Sequence, residues 1–216
     1  MNEAKSIDDD YPRSMSDACV RRRRRAMLTL PHVAKLTAYA AELRLRGSGE
    51  VPEFDPLDGG VDALVLFLLE KPGPMTADGS NFSGRSGSGF ISRNNDDPTA
   101  AAAIAFMQKA GIPRKLTISW NVIPWWNGTR KVTGSELRDG IKCVRELILM
   151  LPKLLAVVMV GQKAGRARPN LENTGLALFN SDHPSPIVRA RFPERWNAIP
   201  GEWAKVGRFI FESPEA

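Results

Sequence analysis

Wholly apolar runs alternate with amphipathic ones along this chain, and the alternation predicts its architecture. Ala63-Leu64-Val65-Leu66-Phe67-Leu68-Leu69 is apolar at every position and is broken at once by Pro72-Gly73-Pro74. Successive side chains of a strand point to opposite faces, so a run apolar throughout predicts a strand covered on both sides. Lys115 to Trp120 and Leu154 to Val160 read as two more strands, and Ala177 to Phe179 as a short one. The segments between them carry helical spacing. Ala26 to Arg46 offers Leu28, Leu36, Ala40 and Leu43 to one face and ends at Gly47; Pro98 opens an alanine-rich helix to Lys109 that stops at Gly111. Ser135 to Met150 sets Leu137, Ile141, Val144 and Ile148 on one face, Gly161 to Ala167 is a short helix or turn, and Glu194 to Phe209 is a terminal helix. Strands separated by helices in this way predict an α/β fold, a three-layer α/β/α sandwich around a short, mainly parallel four-stranded sheet. His183-Pro184-Ser185-Pro186 follows the last strand and reads as a stiff loop, in which the two prolines disfavour a helix.

The 216 residues suit one domain over 26–216, preceded by a polar, basic N-terminal arm over 1–25. That arm holds Asp8-Asp9-Asp10 and the run Arg21 to Arg25, and it is either mobile or the edge of a first helix. Thirty Lys and Arg against twenty-four Asp and Glu give a net charge of +6, which favours a polyanionic partner. The five arginines either contact phosphates or form a solvated charge run. The apolar runs are too short to span a bilayer, and no amino-terminal apolar segment resembles a signal peptide, so the expectation is a cytoplasmic protein with no membrane partner. Cys19 and Cys143 are the only cysteines. Two thiols exclude a four-cysteine iron-sulfur or zinc site on ligand count, and Cys19, His32, Cys143 and His183 match no compact zinc motif, so neither a metal nor a cofactor is expected.

Ligands of parallel sheets bind beyond the carboxyl ends of the strands. Four distinctive segments fall at such ends: Glu70 to Pro74, Asn121 to Trp126, Gly161-Gln162-Lys163 and His183 to Pro186. A His-Pro pair alone is compatible with an ordinary turn. Its convergence with three other strand ends makes His183, one of only two histidines, a candidate for chemistry.

In these segments the chain resembles the uracil-DNA glycosylase superfamily over roughly residues 60 to 210. His183-Pro184-Ser185-Pro186 resembles the second active-site motif, and Glu70-Lys71-Pro72-Gly73-Pro74 resembles the strand-end motif that begins the pocket. Asn121 is similar in place to the pocket asparagine, Phe82 to the aromatic that stacks on the base, and Val157 to Ala164 to the strand and turn before the final motif. The resemblance implies a monofunctional glycosylase that hydrolyses uracil from single- or double-stranded DNA, acting as a monomer without a cofactor. His183 would donate to uracil O2, where charge develops in the transition state. The Asn121 amide would accept from N3–H and donate to O4, a pattern that mismatches cytosine. Phe82 would stack on the flipped base, a contact worth about 1 to 3 kcal/mol, with Gly73 in the pocket wall. Ser86, Ser88 and Ser185 would hold phosphates, and Ile187, Val188, Arg189 and Arg191 would fill the vacated stack and hold the backbone. Plain core or surface roles remain open for Phe82 and for the arginines. Of the adjacent Trp125 and Trp126, one is expected to line the groove or cap the pocket and the other to pack in the core.

Three positions depart from the family pattern, the first being Leu69 in place of the leading glycine of the first motif. Lys71 stands where an aspartate or asparagine positions water in the best-known branches, which leaves Glu70 as the water-positioning carboxylate. Lys71 itself would bind a phosphate, pair with Glu70, or act as a Schiff-base nucleophile. Gly73 stands where other members carry a tyrosine against the base C5, so thymine exclusion must come from elsewhere or be absent. Preference for another deaminated base such as hypoxanthine, and a non-catalytic DNA-binding role, are the competing functions. An enzyme acting on a small nucleotide would need a phosphate-cradling Gly-x-x-x-x-Gly-Lys-Ser/Thr loop, which the sequence lacks.

Overall fold

Four apolar segments pair side by side to form the central sheet of the computed structural model, which describes residues 9–78, 81–82 (backbone only) and 84–213. In chain order the elements are α1 (Ala18–Ala26), α2 (Pro31–Leu45), β1 (Glu53–Phe54), β2 (Val65–Leu69), β3 (Asn81–Phe82), β4 (Arg85–Ser86), β5 (Phe90–Ile91) and α3 (Pro98–Ala110). Then follow β6 (Thr117–Asn121), α4 (Gly134–Ile148), β7 (Ala156–Val160), α5 (Gln162–Gly165), β8 (Ala177–Ser181), α6 (Pro186–Arg191) and α7 (Pro193–Glu212). The main sheet has the order β6-β2-β7-β8 and is parallel throughout. β1 and β5 form a small parallel pair, and β3 and β4 a small antiparallel one. The chain runs from β2 out to β6 on one side and then to β7 on the other. The strand order therefore reverses around β2, where a ligand crevice opens in sheets of this kind.

The two faces of the sheet explain why its strands are apolar throughout. Leu66, Leu68, Ile118, Trp120, Val157 and Met159 pack with Leu36 and Tyr39 of α2 and with Val144 and Leu147 of α4. The alternate residues Val65, Phe67, Val158 and Val160 pack with Phe106 and Met107 of α3 and with Ile199, Trp203 and Val206 of α7. Each such side chain is worth roughly 1.5–3 kcal/mol relative to exposure. The expected three-layer α/β/α sandwich is thus the fold observed.

Proline and cap chemistry account for where helices begin. The helix expected from Ala26 to Arg46 starts later, as α2 at Pro31, because Leu30, which precedes that proline, is extended (φ −62°, ψ 143°), and a separate helix, α1, occupies the end of the expected arm. The arginine run lies in α1. The stiff loop expected at His183 to Pro186 also ends sooner than read. Pro186 is the first residue of α6 and Ser185 its cap, accepting from the Val188 N–H at 3.4 Å. Proline is excluded from helix interiors but suits the first turn, where its missing N–H has no partner to lose. Ile187, Val188, Arg189 and Arg191 accordingly stand on a helix.

Ion pairs bind α1 to the rest of the molecule. Arg24 and Asp55 are both buried and paired, and Asp55 also takes Arg114 Nη2 at 2.6 Å and the Ser92 hydroxyl. Asp58 accepts from Arg114 Nε at 2.8 Å, with Arg93 at 3.6 Å. Burial alone would raise the Asp55 carboxyl, but Arg114 and Arg24 outweigh it and hold the group well below the usual carboxylate range. At Asp58 burial prevails over Arg93 and Arg114 and the pKa rises. Asp55→Ala would strand the buried Arg24 guanidinium and remove one of the carboxylate partners of Arg114, so urea unfolding should register a loss of about 3–5 kcal/mol; a loss within the range of ordinary surface substitutions would contradict the network.

Candidate active site

Backbone pairing delivers the chemistry-bearing residues to one edge. Asn121 is the last residue of β6, opposite Leu69 of β2, so Glu70 follows immediately beside it. The Val122 N–H donates to the Leu69 carbonyl at 2.7 Å and the Ile123 N–H to the Glu70 carbonyl at 2.9 Å, which extends the pairing past the strand ends. On the other side of β2, Val160 of β7 lies opposite Ser181 of β8, and Gly161 and His183 follow them. Gly161 has φ +90°, and a Cβ there would stand 3.1 Å from the His183 Cβ, so only glycine lets the two loops approach.

Asn121 is 3% exposed, and its Nδ2 has no hydrogen-bond partner among the described residues. A buried donor left unpaired costs about 1–3 kcal/mol, which a ligand carbonyl oxygen would relieve. Half-buried His183 likewise has no side-chain hydrogen bond among the described residues. Burial, and then the positive charges of Arg130 and Lys163, lower its pKa to about 4. The imidazole is therefore neutral near pH 7, with one N–H to donate and one acceptor nitrogen. Glu70 lies with Oε1 2.9 Å from Lys163 Nζ, an ionic contact without hydrogen-bond alignment, since the same oxygen has no hydrogen-bond partner.

Other expected site residues take different places. Lys71 is 3% exposed on its side chain and turns away from Glu70. Its ammonium donates to Asn127 Oδ1 at 2.7 Å, to the Lys131 carbonyl at 3.2 Å and to Glu136 Oε1 at 2.7 Å. Both the phosphate contact and the pairing with Glu70 expected of Lys71 give way to this buried clamp. Ser88 is also corrected: it is 2% exposed, and its hydroxyl bonds the Phe90 backbone, accepting from N–H at 3.0 Å. Ser86 is exposed on β4, and Ser185 is half-buried as the cap of α6. Ile187 is 66% exposed, Arg189 and Arg191 are exposed, and Val188 is half-buried. The backbone of Phe82 pairs with Arg85, while its side chain lies outside the described residues. Gly73 lies directly beneath the Arg130 guanidinium. Trp125 packs in the core and Trp126 is half-buried.

A model of the Uracil DNA glycosylase superfamily matches residues 58–200, more than half of the chain. The chain belongs to this superfamily. The matched span contains all four strand-end segments, and superfamily membership supports base-excision activity of the glycosylase type together with a DNA-binding function. No curated protein matches the chain. Among the described residues, no group of three or more His, Cys, Asp or Glu is placed to hold a metal ion, and no helix is long and apolar enough to cross a membrane.

Sequence reasoning assigned no role to Arg130, Glu136 or Asn127, and placed Lys163 in a motif without a partner. One signal was present: Thr133-Gly134-Ser135-Glu136 spells the capping box that α4 carries, which fixes Glu136 at a helix start. The depressed His183 pKa also has a consequence for stability. Between about pH 6.5 and 4 the unfolded chain binds a proton that the folded one does not, so this group's contribution is present above that window and lost as pH falls through it. NMR titration of the His183 ring should give a midpoint near pH 4; a midpoint near 6.5 would contradict its buried, cation-flanked setting.

Proposed function

We propose that this chain is a monofunctional DNA glycosylase that hydrolyses the N-glycosidic bond of uracil in DNA, leaving an abasic site. The observation that carries the reading is the buried Asn121 amide with an unpaired Nδ2, one strand from Glu70 on the edge that also holds neutral His183. In this reading the amide donates to uracil O4 and accepts from N3–H, and cytosine would face it with the wrong pattern. The bond between C1′ and N1 breaks with its electron pair passing to the base, and His183 donates a hydrogen bond to the O2 on which that charge accumulates. Glu70 orients water toward C1′ and takes its proton, with Lys163 holding the carboxylate in place.

An ammonium pointing at the site would oppose hydrolysis, since the sugar becomes cationic as the base departs. The three bonds of Lys71 to Asn127, Lys131 and Glu136 prevent this, because they turn the charge away and neutralise it. The same bonds disfavour a Schiff base, which needs a free amine lone pair. Acceptance of thymine or a modified uracil is favoured by Gly73, which itself provides no side chain to press on the base C5. Grip on the DNA is assigned to Ser86, Ser185 and the α6 residues Ile187, Val188, Arg189 and Arg191.

Labelled single- and double-stranded oligonucleotides containing uracil, hypoxanthine, xanthine or mispaired thymine, treated with alkali, test the proposal. Breaks are expected at uracil. Removing the donor in His183→Ala should slow them by about 10²–10³-fold, and Glu70→Gln by about 10²–10⁴-fold. Asn121→Ala should cost about 1–3 kcal/mol of discrimination between bases. Binding without breaks at any base would support the non-catalytic alternative.

A further inference from the structure

Lys71 and Arg130 belong to one arrangement. Two of the three bonds made by the buried Lys71 ammonium go to Asn127 and to the Lys131 carbonyl, which bracket Arg130 in the chain. The third goes to Glu136, fixed in turn by its capping box with Thr133. Burial would raise the Glu136 carboxyl, but the bonds from Lys71 and Thr133 outweigh it and lower the pKa to about 2. The Glu136 carboxylate therefore stays ionised through the neutral range, and the clamp holds the loop on both sides of an exposed guanidinium.

That guanidinium is spread over Gly73. A Cβ on Gly73 would stand 3.2 Å from Arg130 Nη2, 3.7 Å from Cζ and 4.0 Å from Nη1, so Arg130 takes the space a side chain there would need. It also lies close enough to His183 for its charge to act on the imidazole. Arg24, Arg44, Arg46, Arg114 and Arg195 all have carboxylate partners, yet Arg130 has neither an ion pair nor a hydrogen bond among the described residues. Asp97, whose charge it also feels, is committed to capping α3. A planar fork of donors, held by a buried clamp at the rim of the site and left unpaired by the protein, suits an anion brought by the ligand. Its exposure favours a backbone phosphate over a buried base.

We propose that Arg130 binds the DNA phosphate next to the nucleotide whose base enters the pocket, and that Lys71 is its positioning residue. This rests on the reading of the site as one that excises a base from DNA. It adds a specificity consequence: a bulky residue at position 73 and Arg130 in its present place exclude each other.

Equilibrium binding to a duplex carrying a non-cleavable abasic analogue, measured across a salt series, tests the proposal without requiring turnover. Arg130→Gln should weaken binding and reduce the magnitude of the slope of log K against log salt by about 0.9. Arg130→Lys should restore the slope, since it keeps the charge. Lys71→Met should weaken binding in the same sense and add little further loss when combined with Arg130→Gln, the signature of two residues acting as a unit. An unchanged slope in Arg130→Gln would overturn the phosphate contact. So would a lower cleavage rate at saturating enzyme with the slope intact, which would assign the guanidinium to the departing base. If the slope change held while the wild-type protein left uracil intact, the phosphate contact would stand and the substrate assignment would fall.

Discussion

The ladders that join β2 to β6 on one side and to β7 on the other fix where Asn121, Glu70 and Gly161 stand. Because all three strands run in the same direction, their carboxyl ends share an edge, and the residue after each end enters the same space. Asn121, Glu70 and Gly161 are placed by this register rather than by side-chain contacts of their own. A shift of one residue in β6 would turn Asn121 to the opposite face and bring Trp120 to the strand end. Trp120 is fully buried and stacked on Phe54 with centroids 3.6 Å apart, so the core on one side of the sheet holds the register that the candidate site needs on its edge.

Strand geometry also separates two adjacent charges of opposite sign. Glu70 and Lys71 leave the end of β2 in different directions, one toward Lys163 and the other toward Glu136. Each is neutralised by a partner from a different element, and neither by the other. The carboxylate remains at the site, as the proposed chemistry requires, while the ammonium becomes part of the scaffold of the neighbouring loop. Pairing them with each other would have brought the Lys71 ammonium to the site instead of into the neighbouring scaffold.

Much of this was legible in the chain. The apolar runs marked the four strands to within a few residues, and the positions just beyond them marked the site, because period-2 burial and strand-end placement are local properties of sequence. What stayed hidden depends on partners distant in sequence. Lys71 meets Glu136 across 65 positions and Arg24 meets Asp55 across 31, and no periodicity links such pairs. Ser88 misled for the same reason: a serine in a glycine-rich loop looks accessible until the loop folds inward over Phe90. The prolines of the His183 segment were read by their effect on a helix interior, whereas Pro186 occupies the one helical position that suits it.

The charges around His183 set a problem that the arrangement itself resolves. Burial, reinforced by the positive charges of Arg130 and Lys163, keeps the imidazole neutral, and those charges favour both a polyanionic ligand and the negative charge on a departing base. The same potential opposes positive charge on the sugar. A unit charge 4 Å away contributes roughly 4 kcal/mol at an effective dielectric of 20, enough to erase the benefit to the base if left unbalanced. Glu70 supplies the balance, since its carboxylate sits against Lys163 and turns one of the two cations into a neutral pair. Arg130 then remains as the net positive charge, and a bound phosphate would compensate it in turn. On this account the site reaches electrical balance only with DNA in place, so the free protein holds its recognition groups ready at the cost of an unpaired guanidinium and an unpaired amide.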